Sequence, residues 1–273
     1  MSKTSGEVRV AASSYLNTAP LIWSFIDDGA RRGVSLLTDT APARCADMLA
    51  RGRVDAALVP VVEYQRMAEI AVVPGVCVGA REAVRSVVLV TRGAELADVR
   101  SVALDVSSRT SAALVEIIFR EFLPRVPRFA PGEPALDAML DAHDAALLIG
   151  DPAMTFPREG LRVYDLASVW RELTGLGFVF AMWMAREEAR ERVRDVDFAA
   201  ARDEGLAHAE EIARDYALTL HQPADELLAY LRENICFRLD AEMLAGLELF
   251  YRLAHRHGLT QGARPLKLLD DFV

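Results

Sequence analysis

Cysteine is scarce in this chain of 273 residues, and long apolar runs are missing from it. Its three cysteines, Cys45, Cys77 and Cys236, lie far apart among apolar residues. This odd, scattered set predicts reduced, buried thiols of a cytoplasmic protein, not a disulfide framework or a metal site. No apolar stretch approaches the roughly 18–20 residues of a membrane span, and none resembles the core of a signal peptide. We therefore expect a cytoplasmic location and no membrane partner.

Positive charge is in short supply as well. The sequence has 31 Lys and Arg against 40 Asp and Glu, a formal net charge of −9. Nucleic-acid binding requires clustered basic residues, so no nucleic-acid partner is expected. The overall field would not attract an anionic ligand either, and local hydrogen-bond donors would have to hold one.

Histidine, the usual base near neutral pH, is the third scarce residue. The five histidines are His143, His208, His221, His255 and His257. None of them lies in a motif that suggests a site, and we expect surface or structural roles. No metal-ligand spacing, Ser/His/Asp order or glycine-rich nucleotide loop is present, so no metal site is predicted.

What the chain does have is a regular alternation of strand and helix patterns. Strand patterns cover residues 7–12, 34–38, 54–59, 70–78, 84–91, 101–105, 145–149, 162–166 and 178–185. Helix patterns cover residues 19–28, 42–52, 61–67, 108–122, 134–142 and 167–174, then 197–216, 222–232 and 240–257. Several strands are almost wholly apolar, as parallel strands covered on both faces require. The sequence predicts an α/β protein that ends in a helical tail.

The length and the order of elements predict two lobes with a ligand cleft between them. The first lobe would contain residues 1–91 and 181–273, and the second residues 92–180. The strands 84–91 and 178–185 would form the two hinges. Ligands of open α/β sheets bind beyond the carboxyl ends of the strands.

Three turns at such strand ends are rich in small or hydroxylated residues. They are Ser14–Pro20, Ser107–Ser111 and Gly150–Ala153. A strand-to-helix turn presents unpaired backbone N–H groups, which hold an anion without any cationic side chain. Together the three turns indicate a cleft for a small anionic molecule.

Six groups of motifs resemble, in the same order, the chorismate dehydratase family of the futalosine route to menaquinone. They are Ser14–Thr18, Asp55–Tyr64, Val73–Cys77 with Val84–Val87, Ala103–Asp105 with Ser107–Ser111, Leu147–Ala153, and Glu172–Gly175 with Phe178–Ala181. These motifs span about residues 8–185, and the last third resembles the family only as a helical tail. The resemblance implies a two-lobe, type II periplasmic-binding-protein-like fold. It also implies a hydro-lyase that needs no cofactor and converts chorismate to 3-(1-carboxyvinyloxy)benzoate and water.

That reaction removes the 4-hydroxyl and the ring proton at C3, after which the ring is aromatic. The C3 proton is vinylogous to the ring carboxylate, so its loss gives an extended enolate. The enzyme would have to position the substrate, stabilise charge on the carboxylate and provide one base and one acid. Since the motifs contain few acid–base residues, we expect the substrate's own enolpyruvyl carboxylate to remove the proton.

Asn17 and Ser86 are the catalytic candidates. The Asn17 carboxamide can donate and accept hydrogen bonds without adding charge beside a dianion. Ser86, on the expected hinge strand, would donate to a carboxylate. Two structural alternatives stay open, an asparagine that braces its turn and a serine at an ordinary strand position.

A further set of residues is predicted to bind the substrate. The set contains Ser14, Tyr15, Thr18, Ser107, Ser108, Arg109, Thr110, Ser111, Gly150, Asp151 and Phe178. Ser107 or Ser108 would also cap the helix that follows. For Asp151 a helix cap is favoured over an acid–base role, and Tyr15 and Phe178 would stack on the ring or belong half to the core.

A competing interpretation is a non-catalytic protein of the same fold that binds a small carboxylate, since fold alone does not fix function. The effector domain of a regulator is a third, although no helix-turn-helix pattern accompanies it. Turnover of chorismate separates the first two. The sequence leaves the oligomeric state open.

Overall fold

The computed structural model describes residues 7–29 and 33–271 and places ten strands in them. The strands are β1 (Val8–Ser13), β2 (Val34–Asp39), β3 (Ala56–Pro60), β4 (Ile70–Ala80), β5 (Val87–Thr91), β6 (Ser101–Asp105), β7 (Arg128–Gly132), β8 (Ala145–Ile149), β9 (Arg162–Asp165) and β10 (Phe178–Arg186). All the predicted strands are present, with their ends shifted by up to three residues. β7 was not predicted.

The strands form two five-stranded sheets. The first sheet has the order β2-β1-β3-β10-β4 and the second the order β7-β6-β8-β5-β9. β1 pairs in parallel with β2 and β3, and β6 with β7 and β8, whereas β10 and β5 run antiparallel to their neighbours. The carboxyl ends of β1, β3, β6 and β8 therefore carry the loops that build the site.

Eleven α-helices surround these sheets in the described residues. They are α1 (Ala19–Asp28), α2 (Pro42–Ala50), α3 (Arg109–Ile117), α4 (Leu136–Ala142), α5 (Pro152–Thr155), α6 (Leu166–Thr174), α7 (Arg190–Val193), α8 (Phe198–Ala207), α9 (Ala209–Leu220), α10 (Ala224–Ala229) and α11 (Ala241–Arg256). Short 3-10 turns cover Val61–Gln65, Leu96–Asp98 and Glu187–Ala189, and π-helical turns cover Ile118–Phe122 and Tyr230–Asn234. No helix in the described ranges is long and apolar enough to cross a membrane.

The helices begin and end where local chemistry predicts. α2 has Pro42 in its first turn, and the chain leaves it at Gly52 with a φ of +67°. A proline fits there because the first helical N–H groups have no intrahelical acceptor, and a glycine fits a left-handed exit. In α6 the Asp165 side chain accepts hydrogen bonds from the N–H groups of Ala167 and Ser168.

The helical tail packs mainly on the first sheet. α11 lies against β10, α8 lies against α1 and β4, and α9 and α10 pack on each other. Gly205 of α8 allows that approach, since a Cβ there would lie 1.9 Å from the carbonyl oxygen of Pro20. The predicted helix 197–216 is in fact two helices that separate at His208.

The expected hinges lie in different sheets. β10 belongs wholly to the first sheet and β5 wholly to the second, so the chain crosses between β4 and β5 and again between α6 and β10. These pairings alone would put β5 with the second lobe. The lobe limits 1–91, 92–180 and 181–273 stay a prediction, and their outer ends at residues 1 and 273 lie outside the described residues.

Candidate functional site

A narrow cavity of about 50 Å³ lies between the two sheets. Its lining consists of Ser13, Tyr15, Asn17, Thr18, Pro42, Leu58, Pro60, Val78, Val87, Ser108, Thr110, Ser111, Ile149, Gly150, Phe180 and Ala181. Residues from all three predicted turns meet in it. In the described part of the chain every lining residue is uncharged, so neutral donors would hold an anion here.

The structure brings together seven of the predicted site residues. The seven are Tyr15, Asn17, Thr18, Ser108, Thr110, Ser111 and Gly150. The other six lie beside or behind the lining, namely Ser14, Ser86, Ser107, Arg109, Asp151 and Phe178. Their functional roles remain predictions.

The first turn joins β1 to α1. The hydroxyls of Ser13 and Thr18 are 2.9 Å apart, and the Thr18 hydroxyl also lies 3.3 Å from the Asn17 Oδ1 that accepts from it. The amide nitrogen of Asn17 therefore points away from Thr18. Ser14 turns away from the cavity: its Oγ lies 3.4 Å from the carbonyl oxygen of Asp39.

The second turn joins β6 to α3 and uses its hydroxyls locally. Ser108 caps α3, since its Oγ accepts a hydrogen bond of 3.3 Å from the N–H of Ser111. The Thr110 Oγ1 accepts one of 3.2 Å from the N–H of Val62, beside the first sheet. Ser107 donates its N–H to the Asp105 carboxylate at 2.8 Å. The predicted cap is confirmed at Ser108.

Arg109, the first residue of α3, directs its guanidinium to carboxylates outside the cavity. It lies 2.7 Å from Asp47 of α2 and 3.0 Å from Glu63, both on the first-sheet side. Glu63 is buried and also pairs with Arg66 at 3.0 Å. The side chain of Arg109 thus joins the two halves of the molecule, and only its position at the start of α3 faces the cavity.

The third turn follows β8. Gly150 has a φ of +65°, and a Cβ there would lie 2.6 Å from the Tyr15 ring, so the aromatic face of Tyr15 rests directly on the glycine. Asp151 does not cap α5 with its side chain, contrary to expectation. Its Oδ1 instead accepts a hydrogen bond of 3.0 Å from the N–H of Leu16, which joins the first and third turns.

The environment of Asp151 perturbs its acidity. Burial raises the pKa of Asp151 to about 6, against the smaller lowering effect of the Leu16 N–H. The same carboxylate contributes to raising the pKa of Tyr216, which burial chiefly sets at about 12. Asp151 is therefore an acid near neutral pH just behind the lining.

Phe178 does not reach the cavity, because its ring is fully buried in an aromatic cluster. It contacts Trp170 at 5.4 Å and Phe250 at 5.2 Å, centroid to centroid. Phe180, whose ring is 4.7 Å from that of Phe178, lines the cavity in its place. The aromatic contribution of β10 thus comes from the residue two positions later.

Sequence reasoning missed two tyrosines of the helical tail. Tyr216 of α9 donates its hydroxyl to the carbonyl oxygen of Ser14 at 2.8 Å, and Tyr230 donates to the Ser86 Oγ at 2.7 Å. They follow the first turn by about two hundred residues, and no motif marks them. Ser13, which also lines the cavity, was not predicted either, although it directly precedes the first turn.

The site lacks the donor set of a metal centre in the described residues, where no group of three or more His, Cys, Asp or Glu is placed to hold an ion. The cavity is a hydroxyl- and amide-lined cleft between two sheets at the carboxyl ends of their strands. That is the architecture of two-lobe binding proteins.

The solved structures agree on this class. Protein AF1704 from Archaeoglobus fulgidus superposes with a TM-score of 0.73 at 18% identity, over 94% of this chain and 100% of that one. The periplasmic aliphatic sulphonate-binding protein SsuA from Escherichia coli gives a TM-score of 0.64 at 17% identity, over 97% of this chain and 94% of its own. The protein therefore has a two-lobe, periplasmic-binding-protein-like fold.

The sequence comparisons are more specific. A protein family described as menaquinone biosynthesis matches residues 8–256, and the chain belongs to that family. It is 31% identical over 255 residues to the chorismate dehydratase of Thermus thermophilus. The alignment covers 86% of this chain and 91% of the relative. The family resemblance found in the motifs is confirmed, and the match reaches into the helical tail.

Proposed function

We propose that this chain catalyses the loss of water from chorismate to give 3-(1-carboxyvinyloxy)benzoate, as a cofactor-independent hydro-lyase in menaquinone biosynthesis. The observation that carries the proposal is the uncharged cavity in which the three turns meet. Chorismate carries two carboxylates and a hydroxyl, and the cavity offers a carboxamide, several hydroxyls and the start of α3 to them. The relative named chorismate dehydratase supports the same reaction.

In this proposal one substrate carboxylate binds at the start of α3. The N–H groups of Arg109 and Thr110, at its first two positions, have no residue of the helix to donate to, whereas that of Ser111 donates to the Ser108 cap. The helix dipole also favours negative charge there. Thr110 and Ser111 line the cavity at this point. As the C3 proton leaves, charge moves onto the ring carboxylate, so donors already in position stabilise the transition state more than the ground state.

The substrate's enolpyruvyl carboxylate takes the C3 proton, and the 4-hydroxyl leaves with that proton as water while the ring becomes aromatic. Asn17 holds the reacting groups: its Oδ1 already accepts from Thr18, which leaves the amide N–H groups to donate. Ser86 donates to a carboxylate. Tyr15 and Phe180 provide the walls against which the ring is held.

We further propose that the protein acts in the cytoplasm, on a free small molecule, without a membrane or nucleic-acid partner. The three cysteines support this location, since all are unpaired. Burial raises the pKa of the Cys45 thiol to about 12, so it is inert at neutral pH.

The test is to mix the purified protein with chorismate, without added metal or cofactor, and to follow the ultraviolet spectrum and the product mass. Loss of the diene absorbance with a mass decrease of one water is the expected result. A shift in melting temperature with chorismate, while the chorismate stays unchanged, would instead establish the non-catalytic carboxylate-binding protein.

The Asn17→Asp variant tests the residue assigned to the reacting groups. It removes the amide donors and adds charge beside a dianion, so we expect kcat/KM to fall by about 100-fold or more. Gln65→Glu is the matched control, because the Gln65 carboxamide bonds to the backbone of Arg264 and does not line the cavity. Near-normal turnover by Asn17→Asp would remove Asn17 from the mechanism.

A further inference from the structure

Ser86 occupies a strained turn, not the strand position that the sequence predicts. β5 begins only at Val87, and the N–H of Ser86 donates to the carbonyl oxygen of Val84 at 2.7 Å. The residue between them, Arg85, has a φ of +60°. An i to i+2 hydrogen bond around a non-glycine residue with positive φ is rare, and such strain concentrates at functional sites.

Two neighbouring groups hold the backbone of this turn. The Asp165 carboxylate, which also caps α6, accepts hydrogen bonds from the N–H of Val84 at 3.1 Å and of Arg85 at 2.6 Å. The carbonyl oxygen of Ser86 accepts one of 2.8 Å from the N–H of Gly150, in the third turn of the site. The backbone of Ser86 is thereby fixed to the cavity wall.

A residue of the helical tail holds the side chain. Tyr230 opens the π-helical turn Tyr230–Asn234, is completely buried, and donates its hydroxyl to the Ser86 Oγ at 2.7 Å. The Asn17 side chain lies near enough to the same phenol to lower its pKa slightly, against the larger effect of burial. Four residues later, Asn234 donates to the carbonyl oxygen of Ala83 at 3.1 Å, so the same turn of the tail also holds the approach to the strained segment.

Few polar groups surround the phenol of Tyr230. The Arg85 guanidinium carbon lies 6.0 Å from the centre of the Tyr230 ring, and Asp151 is near enough to act on the phenol electrostatically. Burial, the largest effect, raises the pKa of Tyr230 far above its ordinary value. The phenol therefore keeps its proton at neutral pH and has one proton to donate.

We propose that Tyr230 is a positioning residue that fixes the hydroxyl of Ser86 as a donor toward the substrate. Because the phenol donates to the Ser86 Oγ, the proton of Ser86 is left for another acceptor. A tyrosine far along the chain thus sets the direction of the Ser86 hydroxyl, and this inference rests on the proposed function of Ser86.

The Tyr230→Phe variant tests this role, because it removes the hydroxyl and keeps the buried ring. We expect kcat for chorismate to fall about 10- to 100-fold, because residues that orient a catalytic group typically have effects of this size. KM should change much less. In a Ser86→Ala background the same change should cost nothing further, because the hydroxyl that Tyr230 positions is gone.

Tyr251→Phe is the matched control. Tyr251 is also buried, its hydroxyl donates to the carbonyl oxygen of Val61 at 2.9 Å, and neither residue lines the cavity. The Tyr251→Phe variant should lose stability as Tyr230→Phe does, but its kcat should equal that of the wild type. If the two variants have the same kcat, or if the effects of Tyr230→Phe and Ser86→Ala are simply additive, the positioning role is wrong.

Wild-type protein in the same assay separates this inference from the proposed function. If the wild type binds chorismate but does not convert it, the proposed dehydration is wrong. The same double-mutant cycle, measured on the Kd by calorimetry, then decides the inference. Non-additive losses of affinity would still assign Tyr230 to Ser86, and additive losses would overturn that assignment.

Discussion

The Asp151 carboxylate lies in a largely buried position with few polar neighbours. One of its oxygens accepts a hydrogen bond from the N–H of Leu16. The titratable side chains near enough to interact with its charge are Tyr15, Tyr216 and Tyr230, and their raised pKa values keep them neutral below pH 8. Burial therefore raises the pKa of Asp151 to about 6, from an ordinary value of 3.8. In the unfolded chain the group returns to its ordinary acidity.

The sign of the resulting pH dependence follows from proton linkage. Between pH 3.8 and 6 the folded protein binds the Asp151 proton more tightly than the unfolded chain does. The contribution of Asp151 to stability is thus fully present below pH 4 and is lost as the pH rises through 6. We expect Asp151→Asn, which keeps an acceptor for Leu16, to lack this loss.

Urea unfolding of both proteins from pH 4 to 7 measures the effect. The free energy of unfolding of the wild type, minus that of Asp151→Asn, should fall by about 2–3 kcal/mol across this range. All other groups titrate alike in the two proteins, so their contributions cancel in the difference. A difference that stays flat, or that rises with pH, would show that Asp151 is not a buried acid.

The types of residue near strand ends predicted much of the cavity lining. Contacts between residues far apart in the sequence could not be predicted. Asn17, Thr18 and Thr110 were predicted because hydroxyls and a carboxamide after apolar strands serve no core. Phe178 lies in the core, the second of the two places expected for it, because an apolar strand does not show which of its rings faces the cleft. Tyr230 could not be predicted, since only the folded chain brings it to Ser86.

At the scale of the element, the turn after β8 depends on a glycine for two separate reasons. Gly150 has a left-handed backbone, and the Tyr15 ring occupies the space of a Cβ. Gly150→Ala should therefore combine backbone strain of about 1–2 kcal/mol with displacement of Tyr15 from the cavity wall. We expect weaker chorismate binding in calorimetry together with a lower melting temperature.

Gly75→Ala separates these two effects. Gly75 has a φ of +70°, close to that of Gly150, but nothing lies within 4 Å of its Cβ position. It should show the strain alone and bind chorismate as the wild type does. If both variants lose stability equally and neither loses affinity, the contact between Tyr15 and Gly150 has no part in binding.

The elements were largely predictable because strongly apolar strands and capped helices carry their signals locally. β7 is the exception, as an edge strand that contains Pro131 and is only partly buried. The break between α8 and α9 is another, because no glycine or proline marks it. There His208 stacks on Trp23 of α1 at 3.8 Å, a contact between elements that the local sequence does not reveal.

At the scale of the whole molecule, contacts across the cavity hold the two sheets together. The N–H of Val62 donates to Thr110, that of Ala43 donates to the carbonyl of Ser107, and that of Leu16 donates to Asp151. Each bond joins the first-sheet side to the second. The two sheets are thus bonded to each other across the cavity, and we expect substrate entry to require these bonds to open.

Arg109 is the charged member of this closure. Its partner Glu63 has a side chain only 5% exposed, so loss of the guanidinium leaves a buried carboxylate with Arg66 alone. A buried carboxylate that loses one of its two cationic partners is destabilised. We expect Arg109→Gln to lower the free energy of unfolding by about 1–3 kcal/mol, to raise the KM for chorismate several-fold, and to increase the radius of gyration of the free protein in X-ray scattering.

Arg92→Gln is the control, because Arg92 pairs with Asp141 on the surface, within the second-sheet half, and both side chains are largely exposed. An exposed pair contributes little, so this variant should stay within about 1 kcal/mol of the wild type and keep its KM and its radius. If Arg109→Gln behaves like this control in all three measurements, closure does not depend on the ion pairs of α3. The hydrogen bonds across the cavity, with the pairs of Arg171 with Glu242 and of Arg256 with Glu121, would then hold the two halves together.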